Sequence, residues 1–103
     1  MRVVPEELGV SADEFCDSLK SAGIPCAAHY IGKPIHAYPL FQNHSAFARG
    51  NHAFSRRDYS KEQTPVAQQI LDSCVILFVN EGYTNDDLEF TAQTIKTAAE
   101  SAP

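Results

Sequence analysis

The sequence has no long hydrophobic run and no excess of basic residues, and each absence excludes a class of protein. The longest uninterrupted apolar run covers residues 74–79, which is far too short to span a bilayer, so we expect no membrane partner. No basic segment followed by an apolar stretch opens the chain, so we expect no secretory signal and a cytoplasmic location. With 8 Lys and Arg against 13 Asp and Glu, the net charge is −5. Because nucleic-acid binding needs a basic face, we expect no nucleic-acid partner.

The motifs that carry metals, nucleophiles or phosphates are also missing. The cysteines Cys16, Cys26 and Cys74 are widely spaced and form no CxxC pair, so we expect reduced thiols that pack as small hydrophobic groups. The 4 histidines are seven or eight residues apart, which does not match a structural zinc site, and we predict no metal. No glycine-rich phosphate loop is present. The sequence therefore predicts no catalytic residue of its own.

The size and the helix signals indicate one small domain. A chain of 103 residues is long enough for a single domain over residues 1–103. Residues 11–14 form a capping box (S-x-x-E), and the apolar spacing that follows predicts a helix over residues 12–22. Gly23 is predicted to end this helix in a left-handed conformation. A Thr-Pro pair at residues 64–65 begins a second helix, and Thr84 caps a third. The inner stripe of the third helix is predicted to consist of Leu88, Ala92, Ile95 and Ala99.

Three segments carry strand signals. Residues 26–30 predict a short strand, and the apolar, β-branched run at residues 74–79 predicts a strand at the centre of a sheet or covered on both sides. Residues 2–4 read as the end of a strand whose first residues are missing. Because helices alternate with strands, the sequence predicts an α/β (α+β) fold in which helices pack on a small sheet of about three strands.

The segment between the first two helical regions, residues 31–63, shows no periodicity and is predicted to be a long loop. It is rich in large apolar residues, namely Ile35, Tyr38, Leu40, Phe41, Phe47, Phe54 and Tyr59. A chain of this size has too little core to bury all of them. We therefore expect much of this loop to pack against something outside this sequence, and we expect an exposed apolar patch on its side of the molecule.

Four segments stand in a particular order along the chain. Residues 11–25 contain the capping box and the sequence A-G-I-P, residues 29–41 read H-Y-I-G-K-P-I-H-A-Y-P-L-F, and residues 64–67 read T-P-V-A. Residues 74–87 supply the strand and the helix start that follow. Together they resemble the C-terminal small domain of the sugar aminotransferases of the DegT/DnrJ/EryC1/StrS family, although Gln68 stands where the family has an acid.

The resemblance implies the small domain of a PLP-dependent aminotransferase that acts on keto-sugar nucleotides or related cyclic ketones. In this family a large N-terminal domain holds PLP and provides the Schiff-base lysine, and no lysine of this chain lies in a segment like the family's lysine loop. The resemblance therefore implies a fragment that has no cofactor alone and is inactive alone. Its partners would be the missing large PLP domain and further copies in a homo-oligomer, such as a dimer.

The same resemblance implies substrate-binding residues at the mouth of the parent's active site. Its candidates are His29, Tyr30, Lys33 and His36, which would contact substrate phosphate or sugar hydroxyls. A hydrogen-bonded strand end is an equal alternative for His29, a core or interface ring for Tyr30, and a solvated charge for Lys33. Three arginines are weaker candidates for an anionic substrate or a neighbouring subunit, namely Arg49, Arg56 and Arg57. Residues 43–60 depart from the family pattern, and their role stays open.

Two other functions compete with this interpretation. The chain is alternatively a free-standing binding module that holds a partner through the aromatic-rich loop at residues 31–63. A small independent enzyme that uses His29 and His36 as general acid and base is the weakest hypothesis, because no nucleophile, metal set or cofactor motif accompanies the two histidines.

Overall fold

A computed structural model describes residues 1–43 and 58–103 of the chain, which belong to two compact units. The first unit is made of Met1–Tyr30 and Asp72–Pro103, and the second unit is Ile31–Leu71. The elements in chain order are α1 (Pro5–Leu8), α2 (Ala12–Ser21), β1 (Cys26–Ala28), a 3₁₀ helix (Ile35–Ala37), α3 (Pro39–Gln42), a 3₁₀ helix (Tyr59–Lys61), α4 (Pro65–Ser73), β2 (Val75–Leu77) and α5 (Asn85–Glu100).

Helix α2 begins and ends where its sequence predicts. The Ser11 hydroxyl accepts from the Glu14 amide at 3.2 Å, and the Glu14 carboxylate accepts from the Ser11 amide at 2.8 Å, which completes the capping box. At the other end Gly23 has φ 88, a left-handed conformation that suits glycine. The Gly23 amide donates to the Lys20 carbonyl and the Ile24 amide to the Leu19 carbonyl, which is the Schellman arrangement.

In the part of the chain that the structure describes, the sheet consists of two antiparallel strands. Strands β1 and β2 pair in the register Cys26↔Leu77 to Ala28↔Val75. On the other side of β2, the N-terminal residues run antiparallel to β2. The Val75 amide donates to the Met1 carbonyl at 2.8 Å. An isolated bridge joins Arg2 to Cys74. The run around β2 therefore lies between two neighbouring segments, as its apolar sequence predicts.

The prediction of about three strands overstates the regular sheet. Strand β1 ends at Ala28 instead of residue 30, because His29 has φ 51 and leaves the extended conformation. Residues 2–4 contribute only the bridge at Arg2, since helix α1 begins at Pro5 and ends the pairing. Helix α1 itself was not predicted, because four residues are too few to show a periodic pattern. The mixed helix-and-sheet class is confirmed.

The core of the first unit forms between helix α2 and the sheet. It consists of Val3, Ala12, Phe15, Cys16, Leu19, Ile24, Cys26 and Val75. Helix α5 covers this core through Ile95, Ala98 and Ala99, and Thr91 is buried on the same stripe. The predicted stripe was therefore wrong at its start, where Leu88 and Ala92 are exposed. Thr91 tolerates burial because its hydroxyl donates to the Asp87 carbonyl at 2.8 Å.

The second unit contains short helical turns where the sequence predicts an unstructured loop. A 3₁₀ helix at Ile35–Ala37, helix α3 and a 3₁₀ helix at Tyr59–Lys61 lie within it. Each has three or four residues, which is shorter than the window over which helical periodicity can be detected. Helix α4 begins at Pro65, as the Thr-Pro pair predicts. Among the described residues of this unit none is fully buried.

Candidate functional site

His29 lies directly after strand β1, on the surface of the first unit. Its Nε2 atom is 2.9 Å from Oδ2 of Asp13, which belongs to the first turn of helix α2. The His29 side chain remains 40% exposed. This is the hydrogen-bonded strand end that sequence reasoning offers as the alternative to a ligand contact. The arrangement fixes one ring nitrogen on a carboxylate, which orients the imidazole for hydrogen bonding through its other nitrogen.

Tyr30 is a surface residue of the first unit and is not part of its core. The Tyr30 side chain is exposed, and its ring packs edge-on against Phe78 with 5.8 Å between ring centroids. Phe78 follows strand β2, and its carbonyl accepts from the Tyr83 hydroxyl at 3.0 Å. Phe78 and Val79 are themselves exposed. These rings therefore form an exposed apolar surface that includes the Tyr30 phenol ring. Such a surface suits stacking or interface contacts.

Lys33 in the second unit lies over an aromatic ring. Its Nζ atom is 5.2 Å from the centroid of the Tyr38 ring, within the range of a cation–π interaction. Tyr38 is the residue between the first 3₁₀ helix and helix α3, so those two turns determine where its ring lies. An ammonium held in this way is a suitable contact for a phosphate, because cation–π packing limits its rotamers without neutralising its charge.

His36 lies in the 3₁₀ helix of the second unit, which a glutamine side chain supports. Nε2 of Gln42 donates to the His36 carbonyl at 2.6 Å and to the Tyr59 carbonyl at 3.1 Å. Gln42 thereby links helix α3 to the 3₁₀ helix at Ile35–Ala37 and to the 3₁₀ helix at Tyr59–Lys61. Phe41 and Tyr59 add an edge-on ring contact with 5.7 Å between centroids. These contacts give the backbone at His36 a defined position.

A recess of about 280 Å³ opens beside His36. Its lining includes His36, Glu62, Gln63, Thr64 and Gln68, all in the second unit. Imidazole, amide and hydroxyl groups can both donate and accept hydrogen bonds, whereas the Glu62 carboxylate repels anions. The polar part of this lining can therefore hydrogen-bond a neutral hydroxyl group, whereas Pro34, Ala37 and Pro65 make the rest of it apolar.

The four predicted substrate contacts fall in two places. His29 and Tyr30 belong to the first unit, and Lys33 and His36 belong to the second. Sequence reasoning missed Asp13, Phe78 and Gln42, which position His29, Tyr30 and His36. No local signal could have revealed Asp13, because it lies 16 residues from His29 along the chain.

The lysines of the chain do not fit a Schiff-base role. Lys20 lies 3.5 Å from Asp17, Lys61 lies 3.7 Å from Asp58, and Lys96 lies 3.9 Å from Glu100. All three side chains are more than half exposed, and Lys33 lies over the Tyr38 ring. Lysines that form Schiff bases are activated by an apolar pocket or a neighbouring cation, whereas Lys20, Lys61 and Lys96 lie exposed beside carboxylates. The surroundings of these lysines therefore do not fit a PLP anchor.

Two further properties concern metals and membranes. Within residues 1–43 and 58–103, no three His, Cys, Asp or Glu side chains come together in a way that could hold a metal ion. No helix in the same residues is both long and apolar enough to cross a membrane. Seven of the residues considered above lie outside the described part of the chain, namely His44, Phe47, Arg49, His52, Phe54, Arg56 and Arg57.

Comparisons with known proteins add no relative to this geometry. No protein-family model, no curated protein and no solved structure matches the chain.

Proposed function

We propose that this chain is the C-terminal small domain of a PLP-dependent aminotransferase, cytoplasmic and homo-oligomeric, that acts on keto-sugar nucleotides or related cyclic ketones. In this proposal the chain contributes side chains to the mouth of the active site and is inactive alone. The large PLP domain of the parent supplies the Schiff-base lysine. Support comes from the order of sequence motifs, from the mixed helix-and-sheet class, and from the surface of the second unit.

The observation that carries the proposal is the exposure of apolar side chains in the second unit. Ile35 is 71% exposed, Val66 is 68% exposed and Leu40 is 46% exposed. Covering a large aliphatic side chain contributes about 1.5–3 kcal/mol, so a surface that leaves several of them in water favours a partner surface. A large domain packed against this unit would bury them.

The polar groups of the second unit support the substrate class. The recess beside His36 suits sugar hydroxyls, and the Lys33 ammonium suits a phosphate. Lys33 precedes Pro34, which is part of the recess lining. A nucleotide sugar carries both kinds of group, a hydroxyl-rich ring and an anionic diphosphate, and would use both features.

The cofactor part of the proposal can be tested with the purified chain. We expect a spectrophotometric titration with PLP, followed by borohydride reduction and peptide mapping, to show no saturable aldimine. Exposed lysines react weakly and without preference. A stoichiometric aldimine at one lysine would overturn the proposal, and Lys33 would be the residue to mutate first.

The domain part of the proposal needs a separate measurement, which is the coding sequence upstream of this chain in the same reading frame. We expect it to encode a large domain with a Schiff-base lysine. If such a domain is present, transaminase activity of the full protein should fall when Lys33→Ala is introduced, mainly through a higher KM for the nucleotide sugar. Lys61→Ala is the matched control, because Lys61 is an exposed lysine of the same unit paired with Asp58.

The alternative function is a free-standing module that binds a partner through residues 31–63. The exposed rings and aliphatic side chains of the second unit favour it as much as they favour a missing domain. The two functions differ in their ligands. Amide chemical shifts at Lys33 and His36 that move on addition of a nucleotide sugar support the aminotransferase domain, whereas unchanged shifts together with an upstream sequence lacking a PLP domain support the module.

A further inference from the structure

Two cysteine sulfurs meet inside the core of the first unit. The Sγ atoms of Cys16 and Cys26 are 3.4 Å apart, and the two residues are only 1% and 5% exposed. Cys16 lies on the inner face of helix α2, and Cys26 is the first residue of strand β1. The two residues are ten positions apart in the sequence, so only the packing of α2 on β1 brings them together.

We propose that Cys16 and Cys26 form an oxidation site, in which a peroxide converts the two thiols into an intramolecular disulfide between helix α2 and strand β1. A disulfide bond is ~2.05 Å long, so the sulfurs must approach each other by roughly 1.4 Å from their present distance. Rotation of a cysteine side chain moves its sulfur by more than that. The site is independent of the proposed aminotransferase function.

The surroundings of the two thiols give them different roles. Burial raises the pKa of the Cys26 thiol to about 11, and the adjacent Cys16 contributes to this shift. Cys26 is therefore a protonated thiol near neutral pH. Since the thiolate is the nucleophile and Cys26 holds its proton, the attack on the peroxide is assigned to the other sulfur, that of Cys16.

The reaction has two balanced steps. The Cys16 thiolate attacks one oxygen of hydrogen peroxide, the O–O bond breaks, and the leaving hydroxide takes up the thiol proton to form water. This leaves a sulfenic acid at Cys16. The Cys26 sulfur then attacks the Cys16 sulfur, an S–S bond forms, the S–O bond breaks, and the hydroxyl leaves as a second water with the Cys26 proton. In sum, two thiols are oxidised and one peroxide is reduced to two waters.

The disulfide would link two neighbouring elements of the core. Closing a loop of ten residues lowers the conformational entropy of the unfolded chain, which raises the ratio of folded to unfolded molecules on the order of 100-fold. The oxidised chain is therefore expected to unfold at a higher temperature than the reduced chain.

The test uses the full chain and a Cys74→Ser variant, which removes the third thiol. Folded protein is treated with hydrogen peroxide, quenched with an alkylating reagent in denaturant, and examined by intact mass and peptide mapping. We expect the loss of two hydrogen atoms, no alkylation of Cys16 or Cys26, and a single Cys16–Cys26 cross-linked peptide in both proteins. Addition of a reducing agent should restore both thiols.

Two controls keep the result interpretable. Cys26→Ala in the Cys74→Ser background should stop at sulfenic acid on Cys16, which a dimedone adduct detects. A variant that fails to fold does not affect the test, because the cross-link is mapped in the unaltered chain. The proposal is overturned if peroxide leaves Cys16 and Cys26 as free thiols, oxidises them separately to sulfinic acids, or pairs either one with Cys74.

Discussion

The two units of this chain differ in how deeply their apolar side chains are buried. In the first unit, Leu19 and Val75 are completely enclosed, with six further core residues around them. In the second unit, none of the described residues is buried, and Ile35 and Val66 are more than two-thirds exposed. The first unit therefore has a buried core, although Tyr30, Val79 and Phe90 on its surface are exposed, whereas the described residues of the second unit form no such core.

The difference shows that hydrophobicity along the sequence does not locate the core. Both units carry aliphatic and aromatic residues, but among the described residues only those of the first unit form a buried core. Helix α2 packs on the sheet, and helix α5 packs on α2. The turns of the second unit are held by polar and ring contacts, such as those of Gln42 and Phe41.

The most stringent test of this difference in burial between the two units is a pair of truncations to alanine. Leu19→Ala, in the first unit, is expected to lower the free energy of unfolding by about 2–5 kcal/mol, because it leaves a cavity among buried neighbours. Ile35→Ala, in the second unit, is expected to change it by less than about 0.5 kcal/mol. Urea unfolding followed by circular dichroism measures both. A comparable loss for Ile35→Ala would mean that Ile35 is covered in solution, by a second copy of the chain for example.

A second pair of variants compares glycines of the two units. Gly23→Ala is expected to destabilise the chain by about 1–2 kcal/mol, because φ 88 is strained for alanine although no atom lies within 4 Å of the added carbon. Gly32 in the second unit does not have a positive φ. We therefore expect Gly32→Ala to leave the free energy of unfolding unchanged or to raise it by about 0.4–1 kcal/mol. Thermal unfolding distinguishes them, and equal effects would argue against the Schellman ending of α2.

Removal of a helix cap is expected to have a smaller effect. Ser11→Ala and Thr84→Ala each remove the hydroxyl of a capping box, and each should cost about 1 kcal/mol of unfolding free energy. The two caps lie at different helices, so the double variant should show the sum. Ser18→Ala, on the exposed face of α2, is the matched control and should stay within about 0.5 kcal/mol. A control as destabilised as Ser11→Ala would remove capping as the cause.

The smallest expected effect is a decrease in the free energy of unfolding at acidic pH. It comes from two carboxylates of the first unit. Hydrogen bonds from Ser11 lower the pKa of Glu14 from 4.5, and those from Thr84 lower the pKa of Asp87 from 3.8. Because the folded pKa values lie below the unfolded ones, this stabilisation is complete above those unfolded values and is lost as the pH falls through the folded ones.

The measurement for this effect is the unfolding midpoint between neutral and acidic pH. Glu14→Gln and Asp87→Asn should each flatten the decline on the acid side. Ser11→Ala should flatten it less than Glu14→Gln does, because the hydrogen bond from the Ser11 amide, which is the larger cause of the Glu14 shift, remains. An acid decline that is unchanged in all three variants would contradict the assignment.

Sequence reasoning predicted the parts of this fold that depend on neighbours within a few residues. The cap at Ser11, the left-handed ending at Gly23 and the start of α4 at Pro65 were all predicted and are confirmed. The inner stripe of α5 was predicted correctly at Ile95 and Ala99 and was wrong at Leu88 and Ala92, which are exposed. For the candidate site, the substrate-binding roles of all four candidates stay predictions, namely those of His29, Tyr30, Lys33 and His36.

What the sequence by itself determined is where helices α2, α4 and α5 start and where α2 stops, because capping hydroxyls, carboxylates and left-handed glycines act on amides no more than four or five residues away. Only the tertiary structure decided which side chains meet. The pairing of His29 with Asp13 and of Cys16 with Cys26 joins residues ten or more positions apart. Such contacts follow from the packing of α2 on β1, a collective property of the core that no short segment contains.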